Sequence, residues 1–192
     1  MSEPENVAGT ETLTKQEATE ASPMLVRFTD FTDAAHNARW RMVNDNVMGG
    51  RSLGEVAFAD GVMTFAGSIN TNGGGFSSTR IPLEPGVLAE IRELRLRVRS
   101  DGRPYRLLVE DDLGTRSRRI SHRGVFQLDP SVPADQWQTV VIALADLIPT
   151  WRGNVMNAEP LRRDLADLLG ITLSDGVDGP FRLEVDAIEF VP

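Results

Sequence analysis

The chain has 192 residues, no cysteine, and 28 acidic against 20 basic side chains, for a formal charge of -8. These numbers exclude disulfides, thiolate metal sites and a cysteine nucleophile, and they argue against generic nucleic-acid binding, which needs the opposite charge balance. No apolar run approaches the roughly eighteen residues of a membrane span, so a soluble, cytoplasmic protein without a transmembrane segment is expected.

Residues 1–22 hold five glutamates, one lysine and almost nothing large and apolar, too little to offset the entropy of ordering. We expect a disordered acidic tail over 1–23, with neither the apolar stretch of a secretory signal nor the arginine-rich, acid-poor composition of a mitochondrial transit peptide. The folded domain is placed at 24–192, with Leu25, Val26, Phe28 and Phe31 as its first apolar anchors.

The stretch Trp40 to Gly50 (WRMVNDNVMGG) surrounds an Asn/Asp turn with large apolar residues and closes on two glycines. Trp40, Met42, Val43, Val47 and Met48 fit neither strand alternation nor a helical stripe, which predicts a buried irregular segment. Asn44, Asp45 and Asn46 can satisfy its backbone groups. Next, Glu55–Ala59 and Val62–Ala66 flank Asp60-Gly61, a two-residue hairpin signature that sets Phe58 opposite Met63 and Val56 opposite Phe65.

A glycine-rich bend, Asn70 to Gly75, runs into a strand from Phe76 to Ile81. Leu94 to Arg99 alternates strictly, with Leu94, Leu96 and Val98 inward and Arg95, Arg97 and Arg99 outward. Further strands are expected over Tyr105–Glu110, Thr115–Ser121 and Gly124–Leu128, with a turn at Asp111–Gly114, and a buried strand over Trp137–Leu144. Pro160, the stripe of Leu161, Leu165, Leu168 and Leu169, and Gly170 predict one short helix near the C-terminus. Phe181 to Phe190 closes the domain as a strand whose alternation slips after Val185, which a bulge at Asp186 and Ala187 would reconcile. Many short strands with Gly, Pro and Asp turns make an all-β sandwich or barrel.

The segments Trp40–Ser52, Phe65–Gly67, Gly74–Arg80 (GGFSSTR), Asp101–Arg103 with Tyr105, Trp137 with Val140 and Ile142, Arg152-Gly153, Leu169–Ile171 and Gly179–Glu184 resemble, in order, the complex I intermediate-associated protein 30 family. The resemblance runs from about Phe28 to Phe190, with the two glycine-containing motifs its most specific parts. It implies a jelly-roll β-sandwich, galactose-binding-domain-like, related in shape to carbohydrate-binding modules. It also implies a chaperone-like role, known in mitochondria from assembly of the membrane arm of NADH:ubiquinone oxidoreductase, and it assigns no catalytic residues. Ser100 stands where the pattern has glycine, and Leu147 where it has phenylalanine.

Candidate chemistry is sparse. His36 and His122 lack a surrounding motif and are taken as surface or loop residues. Ser77 and Ser78 follow three glycines but form no nucleophile elbow, and the bend has no phosphate-loop ending. Asp45 and its asparagines could offer oxygens to calcium, although turn chemistry is the simpler account; Asp111 and Asp112 are read in the same two ways. No metal, cofactor or catalytic residue is assigned.

Between Arg92 and Arg123 lie ten arginines against five acids. Arg95, Arg97 and Arg99, about 6.6 Å apart along one strand face, form a basic row that Arg103, Arg106, Arg116, Arg118 and Arg119 would widen across neighbouring strands. That row is either a solvated face knitted by acids or a surface for an acidic partner or an anion. We therefore expect a non-catalytic binding or assembly-factor domain with a protein partner, for a respiratory or other membrane-associated complex, peripheral membrane contact being left open. The alternative is a lectin-like carbohydrate-binding module using Tyr105 and Trp151 as its aromatic platform.

Overall fold

The computed structural model describes residues 25–115 and 118–192, the side chains of 112–118 excepted. The acidic tail expected over 1–23 and Arg116 lie outside the described residues, as does the side chain of Arg118. Strand β1 (Val26–Thr29) leads to a single helical turn, α1 (Ala34–Asn37), where the Asp33 carboxylate accepts the Ala35 N–H at 2.8 Å. There follow β2 (Arg41–Asn44), β3 (Leu53–Ala59), β4 (Val62–Ile69), β5 (Ser77–Pro82), β6 (Glu93–Ser100), β7 (Tyr105–Thr115) and β8 (Arg118–Phe126). The chain continues with β9 (Gln138–Ala143), β10 (Ile148–Trp151), β11 (Asn154–Val155), β12 (Leu168–Leu173) and β13 (Gly179–Val191).

These strands form two antiparallel sheets. Sheet A has the order β3-β4-β13-β6-β9, with β1 added on β13; sheet B has the order β11-β10-β8-β7-β12-β5-β2. Alternate residues of each sheet face the other, so Phe65, Leu96, Val98 and Leu183 from sheet A meet Ile81, Leu107, Val109 and Ile171 from sheet B in one core. The result is a β-sandwich with little helix, one of the two all-β architectures that the strand pattern predicts, and the jelly-roll form is the one that the family resemblance implies.

The β3–β4 hairpin has the expected register, Phe58 opposite Met63 and Val56 opposite Phe65, around Asp60 and Gly61 at φ 51° and 73°. Both turn residues are left-handed, the geometry that Asp-Gly supplies cheaply. In β13 the register against β6 shifts between Val185 and Ala187. That bulge lets Leu183 and Val185 before it, and Ile188 and Phe190 after it, all enter the core.

Four local expectations change. The C-terminal helix shrinks to a 3-10 turn at Arg163–Leu165, because Leu168–Leu173 is a strand paired on both sides, to β5 and to β7. Two ladders, together with burial of Leu169, Ile171 and Leu173, outweigh the helical stripe. Trp40 is buried as expected, but Val47 and Met48 are exposed, Met48 at 55%. They sit on a 3-10 turn (Asp45–Met48) that is held by the Asp45 carboxylate rather than by apolar burial. Trp137–Leu144 gives not a buried strand but β9 at the edge of sheet A, with β6 its single neighbour and Val141 outward. The turn expected at Asp111–Gly114 is absent; β7 runs through to Thr115 with a register shift between Glu110 and Gly114, and Asp111 is fully buried.

Candidate functional site

Local structure around the first glycine motifs is organised by one carboxylate. Asp45, fully buried, accepts the Ser52 N–H at 2.8 Å and the Gly75 N–H at 2.6 Å, and its second oxygen also accepts the Ser52 hydroxyl at 2.6 Å. Burial alone would raise this carboxyl, but the Ser52 hydroxyl and the N–H groups of Gly75, Ser52 and Phe76 hold it below its ordinary range. Asp45 therefore works as the turn chemistry predicts, with its oxygens occupied by donors of the chain. The same carboxylate explains the glycines. A β-carbon at Gly50 would fall 2.2 Å from the Asp45 Cγ, and one at Gly74 would fall 2.3 Å from its Oδ2.

This knot sets one wall of a groove on the outer face of sheet B. The groove, about 370 Å³, is lined by Met48, Gly74–Phe76, Arg80, Arg119, Arg123, Trp151–Gly153, Thr172 and Ser174. It continues past Arg123, Gly153 and Ser174 into a second hollow of about 330 Å³ that adds Arg106, Val125, Ile148, Thr150 and Val155. Trp151 stands at the β10–β11 hairpin tip, where Arg152 and Gly153 take φ of 48° and 84°, and the Arg152 guanidinium lies 5.0 Å from the indole centroid. Gly170 keeps the floor low: a β-carbon there would meet the Thr79 carbonyl at 2.9 Å and the Arg80 stem at 3.1 Å.

Charge in this groove is unbalanced. The carboxylate of Glu110 bonds the Ser121 hydroxyl at 2.8 Å and lies 3.7 Å from Arg80 and 3.1 Å from Arg119. Arg119 also pairs with Asp167. Arg106 donates to the Ser174 carbonyl at 2.6 Å and hydroxyl at 2.9 Å, and it has no carboxylate partner among the described residues. The Arg123 side chain makes no hydrogen bond or ion pair among the described residues, and its Nε is sealed from solvent without a partner. Burial, then the cations of Arg80 and Arg106, push the Arg123 pKa down against the opposing pull of Glu110. Arg80 is lowered too, by burial first and by Arg119, again against Glu110.

The basic row expected from Arg95 to Arg119 does not form one surface. Arg95, Arg97 and Arg99 lie on β6 in sheet A, whereas Arg106, Arg118 and Arg119 lie on β7 and β8 in sheet B, because the chain crosses between sheets at Ser100–Pro104. The β6 arginines are matched by acids: Arg97 pairs with Asp186, Arg99 with Glu184, and Arg95 sits 3.7 Å from Glu93. Arg97 and Arg99 also lie over the Trp137 ring, at 5.3 and 4.7 Å. Arg103 is a tether, gripping Asp175 with two bonds of 2.9 and 2.7 Å and donating to the carbonyls of Gly179 and Pro180.

Tyr105 cannot be a ligand platform: it is 1% exposed, faces the core beside Phe126 and Phe65, and its hydroxyl reaches Asp101 at 3.2 Å. Trp151 remains at the groove rim. His122 is not a surface residue but fully buried, on the inward phase of β8 opposite Val109, with Nε2 donating to the Glu159 carbonyl at 3.1 Å. A broader apolar cleft of about 790 Å³ at the β3 edge, lined by Phe31, Trp40, Val56 and Phe58, has Asp60 as its one ionisable residue among the described residues. Arg80 and Arg123 carry no motif of their own in the sequence; the available signal is their outward phase, shared with Ser78 and Val125 on their strands, but their proximity depends on the strand order.

The profile of the family described as Complex I intermediate-associated protein 30 matches residues 29–185. The chain belongs to that family. The "Complex I intermediate-associated protein 30, mitochondrial" of Mus musculus is 36% identical over 101 residues, which are 52% of this chain and 30% of that protein's length. Among solved structures, a family 11 carbohydrate-binding module from Clostridium thermocellum, in complex with a β-1,3-1,4-mixed-linked tetrasaccharide, superposes with TM-score 0.61 at 14% identity, covering 89% of this chain and 97% of that one. The family 11 module of a cellulosomal cellulase of Clostridium thermocellum gives 0.61 at 13% identity, over 89% and 96%. At such identity the likeness shows the β-sandwich fold. Within the matched residues, the segments Trp40–Ser52 and Gly74–Arg80 are the ones that Asp45 ties together.

Proposed function

We propose that this domain is a non-catalytic, chaperone-like assembly factor that binds a protein partner through the outer face of sheet B, in the assembly of a respiratory or other membrane-associated complex. It acts from the cytoplasmic side; among the described residues no helix is long and apolar enough to cross a membrane. Family membership over residues 29–185 supports the assembly role. The observation that carries the binding face is the exposed aliphatic row Val125, Ile148 and Val155, at 62%, 50% and 73%, set beside arginines. Aliphatic side chains at that exposure contribute when a partner covers them.

The test is affinity capture of the tagged full chain from membranes under mild detergent, with native gels of the complexes in a deletion strain. Recovery of subunits of NADH:ubiquinone oxidoreductase, with loss of the mature complex on deletion, is expected. Intact complexes in the deletion strain and no co-purifying subunit would refute the assembly role. The lectin-like reading draws on the fold shared with carbohydrate-binding modules and on Trp151 at the groove. It is weaker because Tyr105 is in the core, which leaves a single indole for stacking against a sugar.

A further inference from the structure

We propose that the outer groove of sheet B binds an extended acidic segment of the partner polypeptide, with carboxylates on Arg80, Arg106 and Arg123 and an aliphatic side chain against Val125, Ile148 and Val155. This rests on the partner-binding reading above and gives that partner its chemistry.

Three observations carry it. The two hollows share Arg123, Gly153 and Ser174 and so form one trough from β10 to β5. Four strand-to-strand steps of about 4.8 Å make it roughly 19 Å long, the reach of about six residues in extended form. Next, the trough is positive in a chain whose formal charge is -8. Among the described residues, Arg80, Arg106, Arg119, Arg123 and Arg152 face the carboxylate of Glu110 across the face, with Asp167 paired to Arg119, and the two members nearest the centre, Arg106 and Arg123, have no acidic partner. A guanidinium presents a planar fork that a carboxylate satisfies with two bonds, and the Arg123 Nε already lacks an acceptor. Finally, the open end of the trough is aliphatic. Sugars stack on flat aromatic rings, whereas valine and isoleucine at high exposure pack against protein side chains, which favours a polypeptide over a saccharide. The β6 arginines of sheet A, already engaged with Glu184 and Asp186, supply a built-in control surface.

The experiment measures fluorescence polarisation of a labelled peptide, EEVEIEE, with the full chain at low salt. Comparators are QQVQIQQ, EESEGEE and an alginate hexasaccharide. EEVEIEE is expected to bind at least about tenfold more tightly than either other peptide, and the double variant R106Q/R123Q to weaken it by about tenfold or more, the scale of losing bonds to charged groups. R97Q is expected to leave binding unchanged. V125S/V155S, altered only at exposed positions, keeps the test open should the arginine variant fail to fold, and it too should weaken the peptide.

Unchanged binding in R106Q/R123Q and V125S/V155S would overturn the assignment, as would equal binding of EESEGEE. Tighter binding of the alginate hexasaccharide, lost in R106Q/R123Q, would overturn it in favour of an acidic saccharide. If the wild-type chain and R106Q/R123Q capture the same membrane subunits equally well, the groove assignment falls while the assembly role stands. If wild type captures none, the assembly role itself falls.

Discussion

Asp45 and Gly75 are separated by thirty residues and joined by a 2.6 Å hydrogen bond from the glycine N–H to the buried carboxylate. That bond, with those to Ser52, welds the 3-10 turn after β2 to the bend before β5. Replacing Asp45 by alanine strands the Ser52 and Gly75 N–H groups and leaves the Ser52 hydroxyl with only the Asn70 backbone, and should cost about 3 kcal/mol in chemical denaturation.

The same carboxylate gives stability a pH signature. Its folded pKa lies below 3.8, so the unfolded chain takes up the proton first and the contribution, present in full above that value, disappears as the pH falls through the folded pKa. The stability gap between wild type and D45N should therefore be constant near neutrality and narrow only under acid, measured by urea midpoints across pH. A gap that is flat down to acid unfolding would contradict the ionised hub.

Gly74→Ala and Gly49→Ala separate crowding from backbone strain. At Gly74 the new methyl would lie 2.3 Å from the Asp45 carboxylate, and about 2–3 kcal/mol should be lost as the knot is forced open. A β-carbon at Gly49 would meet no atom of the described residues within 4 Å, but the backbone takes φ +88°, so alanine there should cost only about 1–2 kcal/mol. Thermal unfolding of the two variants should rank them in that order.

Arg103→Lys should behave as a damaging change. Its fork holds both oxygens of Asp175 and reaches carbonyls near the start of β13, which a lysine ammonium cannot reproduce; about 1.5–3 kcal/mol is at stake. Arg97→Ala, at an exposed ion pair, should cost less than about 1 kcal/mol.

Tyr105 is the single tyrosine of the chain, which makes its ionisation directly observable by ultraviolet absorbance. Burial, then the neighbouring charge of Asp101 and their hydrogen bond, push its pKa well above the ordinary 10.0. A raised pKa contributes stability that is complete below 10.0 and is lost at higher pH. Tyrosinate absorbance should thus stay low above pH 10.0 and appear only together with cooperative alkaline unfolding.

Local signals in the sequence carried most of the fold. Asp60-Gly61 announced its hairpin and register, and the phase slip after Val185 announced the bulge, since both depend on neighbours a few residues apart. The leucines at 161, 165, 168 and 169 misled because a helix stripe and a doubly paired central strand can share one short apolar run, and only the ladders of β5 and β7 decide between them. The groove was hidden for the same reason. Arg80, Arg106 and Arg123 come together through the order β10-β8-β7-β12-β5, which no spacing along the chain expresses, while Arg95, Arg97 and Arg99, conspicuous as a motif, lie on the other sheet, where Glu93 of β6 and Asp186 and Glu184 of β13 accompany them.

The position of β13 between β4 and β6 has a bearing on biosynthesis. A ribosome delivers this strand after every partner it joins, so the β3–β4 hairpin must wait with an open edge through most of translation. Closure of sheet A is consequently a late, long-range event. A nascent chain stalled before Gly179 would present β4 and β6 as unpaired templates for one another or for a neighbouring copy, and the domain should depend on cellular holdases until its last strand emerges.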